Sequence, residues 1–196
     1  MSPSADVVLL AAGRSSRMGQ PKGLVDFAGR PWIETQLDAV RGRRVVVVLG
    51  HDAARYREAL PDLAKRAELV VNPEPDRGPF SSLQVGLAAC EPGGKPVFVL
   101  PVDVPAASAA LWAALEQALA PGLDAAIPTF DGRGGHPVLL APPFLGRLRA
   151  LDPASPEARL DVQLRSAKAA LVPAGDARVR MNLNAPEDWG KLGEDP

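Results

Sequence analysis

A loop of small residues and cations follows the first apolar run of the chain. The run, residues 7–12, is too short for a helix and is typical of a buried strand, and the loop after it carries Arg14, Arg17 and Lys22. In open α/β sheets, ligands bind at the carboxyl ends of strands, where backbone N–H groups of small residues can approach phosphate oxygens. The sequence therefore predicts an anion site, most simply a nucleotide site, in this loop.

Two common phosphate loops do not fit the spacing. The dinucleotide fingerprint has the pattern G-x-G-x-x-G, whereas bulkier residues separate Gly13 from Gly19 here. The P-loop places its lysine between a glycine and a Ser or Thr, whereas Lys22 lies between Pro21 and Gly23. Pro21 also predicts that Lys22 leaves the loop in extended backbone.

Residues 10–22 instead resemble a family signature. They read Leu-Ala-Ala-Gly-x-Ser-x-Arg-Met-Gly-x-x-Lys, which is similar to the MobA-like nucleotidyltransferases and, among them, to the molybdenum cofactor cytidylyltransferases. The resemblance implies that the Ala-Ala-Gly turn lies under the base and ribose of a nucleoside triphosphate, while Arg17 and Lys22 hold the triphosphate during catalysis. The nucleotide-binding residues implied in this loop are Leu10, Ala11, Ala12, Gly13, Arg14, Ser15, Arg17 and Lys22.

The composition favours a soluble enzyme that acts on small molecules. The chain has 196 residues, 46% of them hydrophobic, which predicts a single domain over residues 1–196 with a sizeable core. A net charge of −1 excludes a global field that would hold nucleic acid. The amino terminus lacks a basic signal region and the apolar runs are far too short to cross a membrane, so we expect a cytoplasmic protein. Cys90 lies at helical spacing from Leu83 and Leu87 and is interpreted as core packing rather than a reactive thiol.

Strand-like runs alternate with helical patterns along the chain, which is the plan of a doubly wound α/β fold. The family resemblance implies a three-layer α/β/α fold with a Rossmann-like, mostly parallel sheet of the nucleotide-diphospho-sugar transferase type, and a β-hairpin on the acceptor side. The predicted strands after the first are residues 45–49, 68–72, 96–101, 124–129, 136–140 and 169–172.

A second nucleotide-binding segment is expected around residues 72–86. Ser81 and Gln84 have the spacing of a capping box, so Ser81 is predicted to begin a helix. The segment also resembles the family's Asn-Pro and Gly-x-x-Ser-Ser-Leu-x-x-Gly sequence, which lines the nucleotide pocket. The resemblance implies that Asn72, Gly78 and Ser82 contact the nucleotide.

Asp103 follows the predicted strand 96–101, at the edge of the sheet where ligands bind. It matches the family's metal-binding aspartate, so the resemblance implies a Mg²⁺ ligand and a catalytic residue. The alternative is that Asp103 only caps the next helix, but Ser108 lies closer to the helical pattern and is the better cap.

The two histidines have different expected roles. His51 lies in a Gly-His-Asp turn after a strand and is interpreted as a turn residue rather than a catalytic one, and Asp52 is predicted to cap the following helix. His136 lies in a Gly-His-Pro-Val segment that also occurs in the family, where the hairpin belongs to the acceptor pocket, so the resemblance implies that His136 contacts the acceptor. Hydrogen bonding within the hairpin is the alternative for His136.

The carboxyl-terminal segment reads Asn182-Leu183-Asn184. The cytidylyl branch has aspartates at both asparagine positions, whereas guanylyl-transferring members have an Asn-x-Asn version. Asn184 can still give a neutral oxygen to Mg²⁺. Residues 154–159 depart from the family's Gly-Asp-x-Gly-Ala-Arg on the acceptor side, which leaves the acceptor open.

The implied reaction is attack by an acceptor phosphate oxygen on the α-phosphorus of the nucleoside triphosphate, with release of pyrophosphate. The expected partners are that nucleotide and a phosphorylated small molecule, most simply molybdopterin, and no protein partner is implied. CTP is expected over GTP because the methyl group of Ala12, where the guanylyl branch has glycine, should crowd a purine. The alternatives are a sugar or polyol phosphate as acceptor, or a nucleotide-binding protein without catalysis.

Overall fold

The computed structural model describes residues 5–15, 18–91 and 94–192. Across these residues the strands are β1 (Asp6–Ala11), β2 (Asp26–Phe27), β3 (Arg30–Pro31), β4 (Val45–Leu49), β5 (Glu68–Val71), β6 (Val97–Pro101), β7 (Ala125–Phe130), β8 (Arg133–Gly134), β9 (Val138–Leu140) and β10 (Ala169–Pro173). The α-helices are α1 (Trp32–Ala39), α2 (Ala53–Ala59), α3 (Pro79–Ala89), α4 (Ala109–Ala118), α5 (Pro142–Ala150), α6 (Leu160–Arg165) and α7 (Pro186–Gly190).

The main sheet has the strand order β10-β7-β9-β6-β1-β4-β5, with β8 paired to β7. The pairs formed by β1 with β4 and β6, by β4 with β5, and by β7 with β10 are parallel, as the β-branched runs predict. Strand β9 is antiparallel to both of its neighbours, β6 and β7. The predicted hairpin is therefore present, and its returning strand inserts into the middle of the sheet.

Helices cover both faces of the sheet. Alternate residues of β1 point in opposite directions: Val7 and Leu9 pack with α1, α2 and α4, whereas Val8 packs with α3 and α5. Both apolar clusters are fully buried at the centre of the sheet, with Val47 and Val48 each 0% exposed. The three-layer α/β/α architecture predicted from the sequence is confirmed.

The register brings three strand ends to one level. Leu10 pairs with Val48 on one side and with Pro101 on the other, so β1, β4 and β6 end together. The backbone N–H of Val102 then donates to the carbonyl of Leu10. The loops after these strands consequently meet at a single edge of the sheet.

Two local predictions were wrong. Helix α3 begins at Pro79 with Gly78 at φ 94° as its cap, so Ser81 lies inside the first turn and donates its hydroxyl hydrogen to the Gly78 carbonyl instead of capping the helix. The signal for this start was Pro79, because proline favours the first helical position. Lys22 does not leave the loop in extended backbone, because only Pro21 is extended and residues Lys22–Leu24 form a 3₁₀ turn.

Asp52 and Ser108 were also predicted to cap helices. Asp52 occupies the cap position of α2, but its side chain accepts no capping hydrogen bond. Ser108 caps α4, as predicted, by accepting from the Leu111 N–H. Over the part of the chain that the structure describes, the helices are all too short or too polar to cross a bilayer.

Candidate functional site

A cleft of about 670 Å³ opens where the loops after β1, β4 and β6 meet. Its walls come from the first loop, from the turn after β4, from the start of α3, from the segment after β6 and from the carboxyl-terminal segment. The lining residues are Leu10, Ala11, Ala12, Gly13, Arg14, Ser15, Lys22, His51, Tyr56, Pro75, Asp76, Gly78, Pro79, Ser82, Pro101, Val102, Asp103 and Asn184.

Three polar side chains meet inside this cleft and are called the inner cluster: Lys22, Asp103 and Asn184. The Lys22 ammonium donates to Asp103 Oδ2 at 2.7 Å and to Asn184 Oδ1 at 2.7 Å. The side chains of Lys22 and Asp103 are only 15% and 25% exposed. Residues that are 81 and 162 positions apart from Lys22 in the sequence therefore present two oxygen atoms to one cation.

The backbone around Lys22 is held by two side chains. Ser15 Oγ accepts from the Lys22 N–H at 3.1 Å, and the Tyr56 hydroxyl accepts from the Gly23 N–H at 3.0 Å. Burial raises the pKa of the Tyr56 hydroxyl well above its ordinary value, so the hydroxyl stays neutral. A side chain at Gly23 would collide with that hydroxyl, since a Cβ there would lie 2.6 Å from it.

A backbone hydrogen bond holds the segment of Asn184 beside Asp103. The Leu183 N–H donates to the Asp103 carbonyl at 2.8 Å. Beyond it, one carboxylate oxygen of Asp188 accepts from both the Asn184 and the Ala185 N–H at 3.0 Å. Hydrogen bonds from Lys191 and from these two backbone groups hold the pKa of Asp188 below its usual range. The Asp188 carboxylate thus fixes the backbone just before α7, although Ala185 has no side chain that could cap the helix.

Aromatic packing fixes the far side of this segment. Trp189 of α7 packs edge-on against Trp32, with ring centroids 5.2 Å apart, and Trp32 packs in the same way against Phe27. The indole N–H of Trp32 also donates to the Val102 carbonyl at 2.6 Å, next to Asp103. The position of Asn184 is therefore set by packing that reaches well outside the cleft.

A second group of charges, the mouth cluster, consists of Arg14, His51 and Asp76. Two guanidinium nitrogens of Arg14 donate to Asp76 Oδ1, at 3.1 and 2.6 Å, and His51 Nε2 lies 3.4 Å from the same oxygen. The side chains of Arg14 and Asp76 are 65% and 68% exposed. The Arg14 hydrogen bond holds the pKa of Asp76 below its ordinary value.

Most of the residues predicted to bind the nucleotide line the cleft. They are Leu10, Ala11, Ala12, Gly13, Arg14, Ser15, Lys22, Gly78 and Ser82. Arg17, predicted as a catalytic and nucleotide-binding residue, lies outside the described residues.

Asn72 does not line the cleft and is almost completely buried. Its amide nitrogen donates to the hydroxyls of Ser81 and Ser82, at 2.9 and 3.0 Å, and its oxygen accepts from the Glu74 N–H. The polar atoms of Asn72 are thus bonded within the protein, and its direct contact with the nucleotide stays a prediction. Through its hydrogen bond Asn72 positions Ser82, which does line the cleft.

His136, predicted to contact the acceptor, lies beside the cleft rather than in its lining. Its Nδ1 is 3.3 Å from the Val99 carbonyl oxygen, and its backbone N–H donates to the Val179 carbonyl. Burial of the ring lowers the pKa of His136, while the Val99 carbonyl and the charge of Asp103 act in the opposite direction. Its role toward an acceptor stays a prediction.

The inner cluster has the chemistry of a magnesium site. Mg²⁺ prefers oxygen ligands and is usually bound by one or two protein carboxylates together with phosphates and water. Asp103 and Asn184 supply two such oxygens, and both already face one cation, the Lys22 ammonium. Among the described residues no group of three or more His, Cys, Asp or Glu side chains forms a preassembled metal cage. The residues therefore fit a metal that arrives with substrate oxygens.

Three polar residues of the cleft lining were missed by the sequence interpretation: His51, Tyr56 and Asp76. His51 was assigned to a turn, and it does lie in that turn, but it also faces the cleft. The signal that could have found it is its place at the carboxyl end of a parallel strand. No sequence signal identified Tyr56 or Asp76, because their contacts depend on segments far apart in the chain.

Comparison with known proteins places the chain in a family. Residues 7–170 match the profile described as the MobA-like NTP transferase domain. A molybdenum cofactor guanylyltransferase of Xanthomonas euvesicatoria is 32% identical over 193 residues, which cover 94% of this chain and 92% of that protein. A Pseudomonas fluorescens protein of the same name is 33% identical over 197 residues, covering 94% and 92%. The bifunctional protein GlmU of Paracidovorax citrulli is 40% identical over 109 residues, but the matched part spans only 22% of its length.

Solved structures share the fold. A nucleotidyl transferase of Methanothermobacter superposes with a TM-score of 0.77 at 25% identity, covering 97% of this chain and 96% of that one. The Rv0371C protein of Mycobacterium tuberculosis, in complex with manganese, superposes with a TM-score of 0.74 at 22% identity and covers 97% and 98%. The similarity to the manganese complex concerns the fold alone.

Proposed function

The chain belongs to the MobA-like NTP transferase family and is a nucleotidyltransferase, and on that premise we propose that it transfers GMP from GTP to a phosphate of a molybdopterin-type acceptor. The acceptor phosphate oxygen forms a bond to the α-phosphorus, and the bond from that phosphorus to pyrophosphate breaks. The convergence of Lys22, Asp103 and Asn184 at the end of β1 and β6 supports this transfer. Such a cluster suits a reaction between two anions.

In this reaction the protein positions the two substrates and neutralises their negative charge. An acceptor phosphate is already anionic, so the reaction needs no general base, and catalysis comes from holding the two substrates together and offsetting the charge that develops. Lys22 supplies a partly buried positive charge inside the cleft, and Arg14 supplies an exposed one at its mouth. Asp103 and Asn184 would hold Mg²⁺, which when bound offsets charge on the triphosphate as pyrophosphate leaves.

GTP replaces CTP as the proposed donor for two reasons. The relatives that match the chain over most of its length are named guanylyltransferases. The steric case for CTP also carries little weight, because Ala12 is only 6% exposed and packs in a core cluster, so its methyl group offers little surface to a base. A Cβ placed on Gly50 would lie 2.8 Å from the Ala12 Cβ, so Ala12 packs closely against the backbone of Gly50.

The deciding measurement is pyrophosphate release with each of GTP, CTP, ATP and UTP, in Mg²⁺ and with a molybdopterin-type acceptor. We expect GTP to be used at least about tenfold better than CTP, which corresponds to about 1.4 kcal/mol of transition-state discrimination. A parallel set with a sugar phosphate and a polyol phosphate tests the acceptor. Preferred use of CTP would overturn the donor assignment, and turnover only with a sugar or polyol phosphate would overturn the acceptor assignment.

A matched pair of lysine variants ties the activity to the cleft. Lys22→Ala removes the ammonium of the inner cluster, whereas Lys65→Ala removes an equal charge from an exposed lysine that pairs only with Asp62 among the described residues. We expect Lys22→Ala to lose nucleotide binding and turnover and Lys65→Ala to keep both. Equal activity of the two variants would remove the inner cluster from the mechanism.

A further inference from the structure

The inner cluster holds a cation of its own. The Lys22 ammonium lies 2.7 Å from Asp103 Oδ2 and 2.7 Å from Asn184 Oδ1, the two oxygens that suit a divalent metal. The Lys22 and Asp103 charges compensate each other in a partly buried place. A metal ion that binds these oxygens must therefore displace the lysine or share its ligands at the cost of repulsion between two cations.

Displacement by a free metal ion is unfavourable in this cleft. In the inner cluster the metal would gain one carboxylate and one neutral amide oxygen, and the described residues form no group of three or more His, Cys, Asp or Glu side chains that could hold it. The lysine would lose its ion pair in a site where its side chain is 15% exposed, and a cation left there without a partner is costly. Mg²⁺ and Mn²⁺ would thus replace good hydration with a poor ligand set.

A metal that arrives on a triphosphate changes this balance. The phosphate oxygens complete the coordination of the metal and at the same time offer Lys22 a new anionic partner. The lysine side chain has a flexible four-carbon stem, so its ammonium can move to a phosphate oxygen while its backbone stays fixed by Ser15. Each charge then keeps a partner throughout the exchange.

We propose that Lys22 closes the metal site of the nucleotide-free protein, so that the divalent cation enters only as the metal-nucleotide complex. Lys22 is then a gate for the metal as well as a ligand for the triphosphate. This inference rests on the proposed function, because the nucleotide is what moves the lysine. It identifies the substrate form that the cleft accepts.

The test is binding of Mn²⁺ alone to the nucleotide-free protein, measured from the electron paramagnetic resonance signal of the free ion. We expect weak binding to the unaltered chain and a gain of about tenfold or more in affinity for Lys22→Met, which removes the ammonium and keeps the length of the side chain. Lys65→Met is the matched control, because it removes an exposed ammonium paired with Asp62, and it should leave Mn²⁺ affinity unchanged.

Two further variants define the site and guard against misfolding. Asp103→Asn in the Lys22→Met background should abolish the gain, since it removes the carboxylate that binds the metal. Lys22→Gln keeps an N–H donor for Asp103 but removes the charge, so it should fold even where Lys22→Met does not, and it should show a smaller gain. Thermal unfolding of each variant identifies which one is used for the comparison.

Equal Mn²⁺ affinity of the unaltered chain and of the folded Lys22 variant would overturn the inference, as would a gain that persists after Asp103→Asn. These measurements use neither nucleotide nor turnover. A gain in Mn²⁺ affinity without any release of pyrophosphate would support the role of Lys22 at the metal site and contradict the proposed function. Turnover of GTP without a gain in Mn²⁺ affinity would contradict only the role of Lys22 at the metal site.

Discussion

The two ends of the cleft carry charged residues of both signs but hold them in different ways. The inner cluster joins Lys22, Asp103 and Asn184 in a place where hydrogen bonds and aromatic packing fix the backbone. The mouth cluster joins Arg14 and Asp76 through an exposed ion pair. Exposed pairs contribute little to stability and exchange partners readily.

This difference matches the two tasks of a transferase. Charges that stabilise a transition state act best when they are fixed before the substrate arrives, because no reorganisation is then needed during the reaction. Charges that admit and release a nucleotide act best when they can exchange one partner for another. The contrast therefore predicts that substitutions in the inner cluster change turnover, whereas substitutions at the mouth change the concentration of nucleotide required.

Asp103→Asn should have the largest effect. The variant keeps the shape of the side chain and an oxygen that can accept from Lys22, but it removes the charge that would hold a divalent cation. We expect kcat to fall by about a hundredfold to a thousandfold, as for the loss of one preorganised charge-stabilising group, and Tm to fall far less, because Lys22 loses its ion pair but keeps a hydrogen-bond acceptor. Steady-state kinetics and thermal unfolding measure the two quantities.

A loss of Tm that accounts for the lost activity would contradict this prediction and would make Asp103 a structural residue. Equal turnover with Mg²⁺ and with a chelator would contradict it in another way, since the carboxylate would then have no metal to hold. Ser108→Ala is the useful comparison, because Ser108 caps α4 just beyond Asp103. That variant should affect stability without the loss of kcat.

Tyr56→Phe tests whether the inner cluster depends on the hydrogen bonds beneath it. The change removes the only phenolic hydroxyl of the chain and leaves the buried Gly23 N–H without its acceptor. We expect the free energy of unfolding to fall by about 1–3 kcal/mol, the cost of an unpaired buried donor. Turnover should fall only severalfold, because Lys22 keeps its ammonium but loses part of its anchor.

Urea unfolding and kinetics on the same preparation separate these effects. A loss of turnover as large as that of Asp103→Asn would show that the hydroxyl contacts the substrate itself. No change in stability would show that Gly23 finds another acceptor, and the inner end of the cleft would then be less fixed than its geometry indicates.

The sequence was sufficient to predict the strands and much of the inner cluster. A β-branched run such as residues 45–49 is typical of a strand buried on both faces, and such strands end at a common edge in a parallel sheet. Asp103 follows one of these ends, so its approach to Lys22 follows from the topology. Asn184 was identified by family resemblance, because no periodic pattern fixes where residues 174–185 run.

The wrong predictions concern features that depend on the packing of one side chain or on a single backbone angle. The methyl group of Ala12 was expected to crowd a purine, but Ala12 is only 6% exposed and packs against Gly50, a contact that the sequence does not reveal. Ser81 was expected to cap α3, but the cap is Gly78, whose φ is 94°, and the helix therefore begins two residues before Ser81, at Pro79. The place of β9 between β6 and β7 depends on pairing between distant segments, which local patterns do not specify.

Asp76→Asn should have the smallest effect and addresses the mouth of the cleft. The change removes a negative charge beside the path of a polyanionic substrate and frees the Arg14 guanidinium, which Asp76 holds at 2.6 Å. We expect the KM for the nucleotide to fall about twofold to fivefold at low salt, in the range of weak surface electrostatics, with kcat and Tm unchanged. The fall should disappear as salt screens the exposed charges.

Asp62→Asn is the matched control, because Asp62 is also exposed and pairs with Lys65 away from the cleft. It should leave KM unchanged at every salt concentration. A fall in Tm for Asp76→Asn would make the Arg14–Asp76 pair a structural element, and the mouth would then resemble the inner cluster. A rise in KM would show instead that Asp76 binds the nucleotide directly, which would give the mouth a fixed part in recognition.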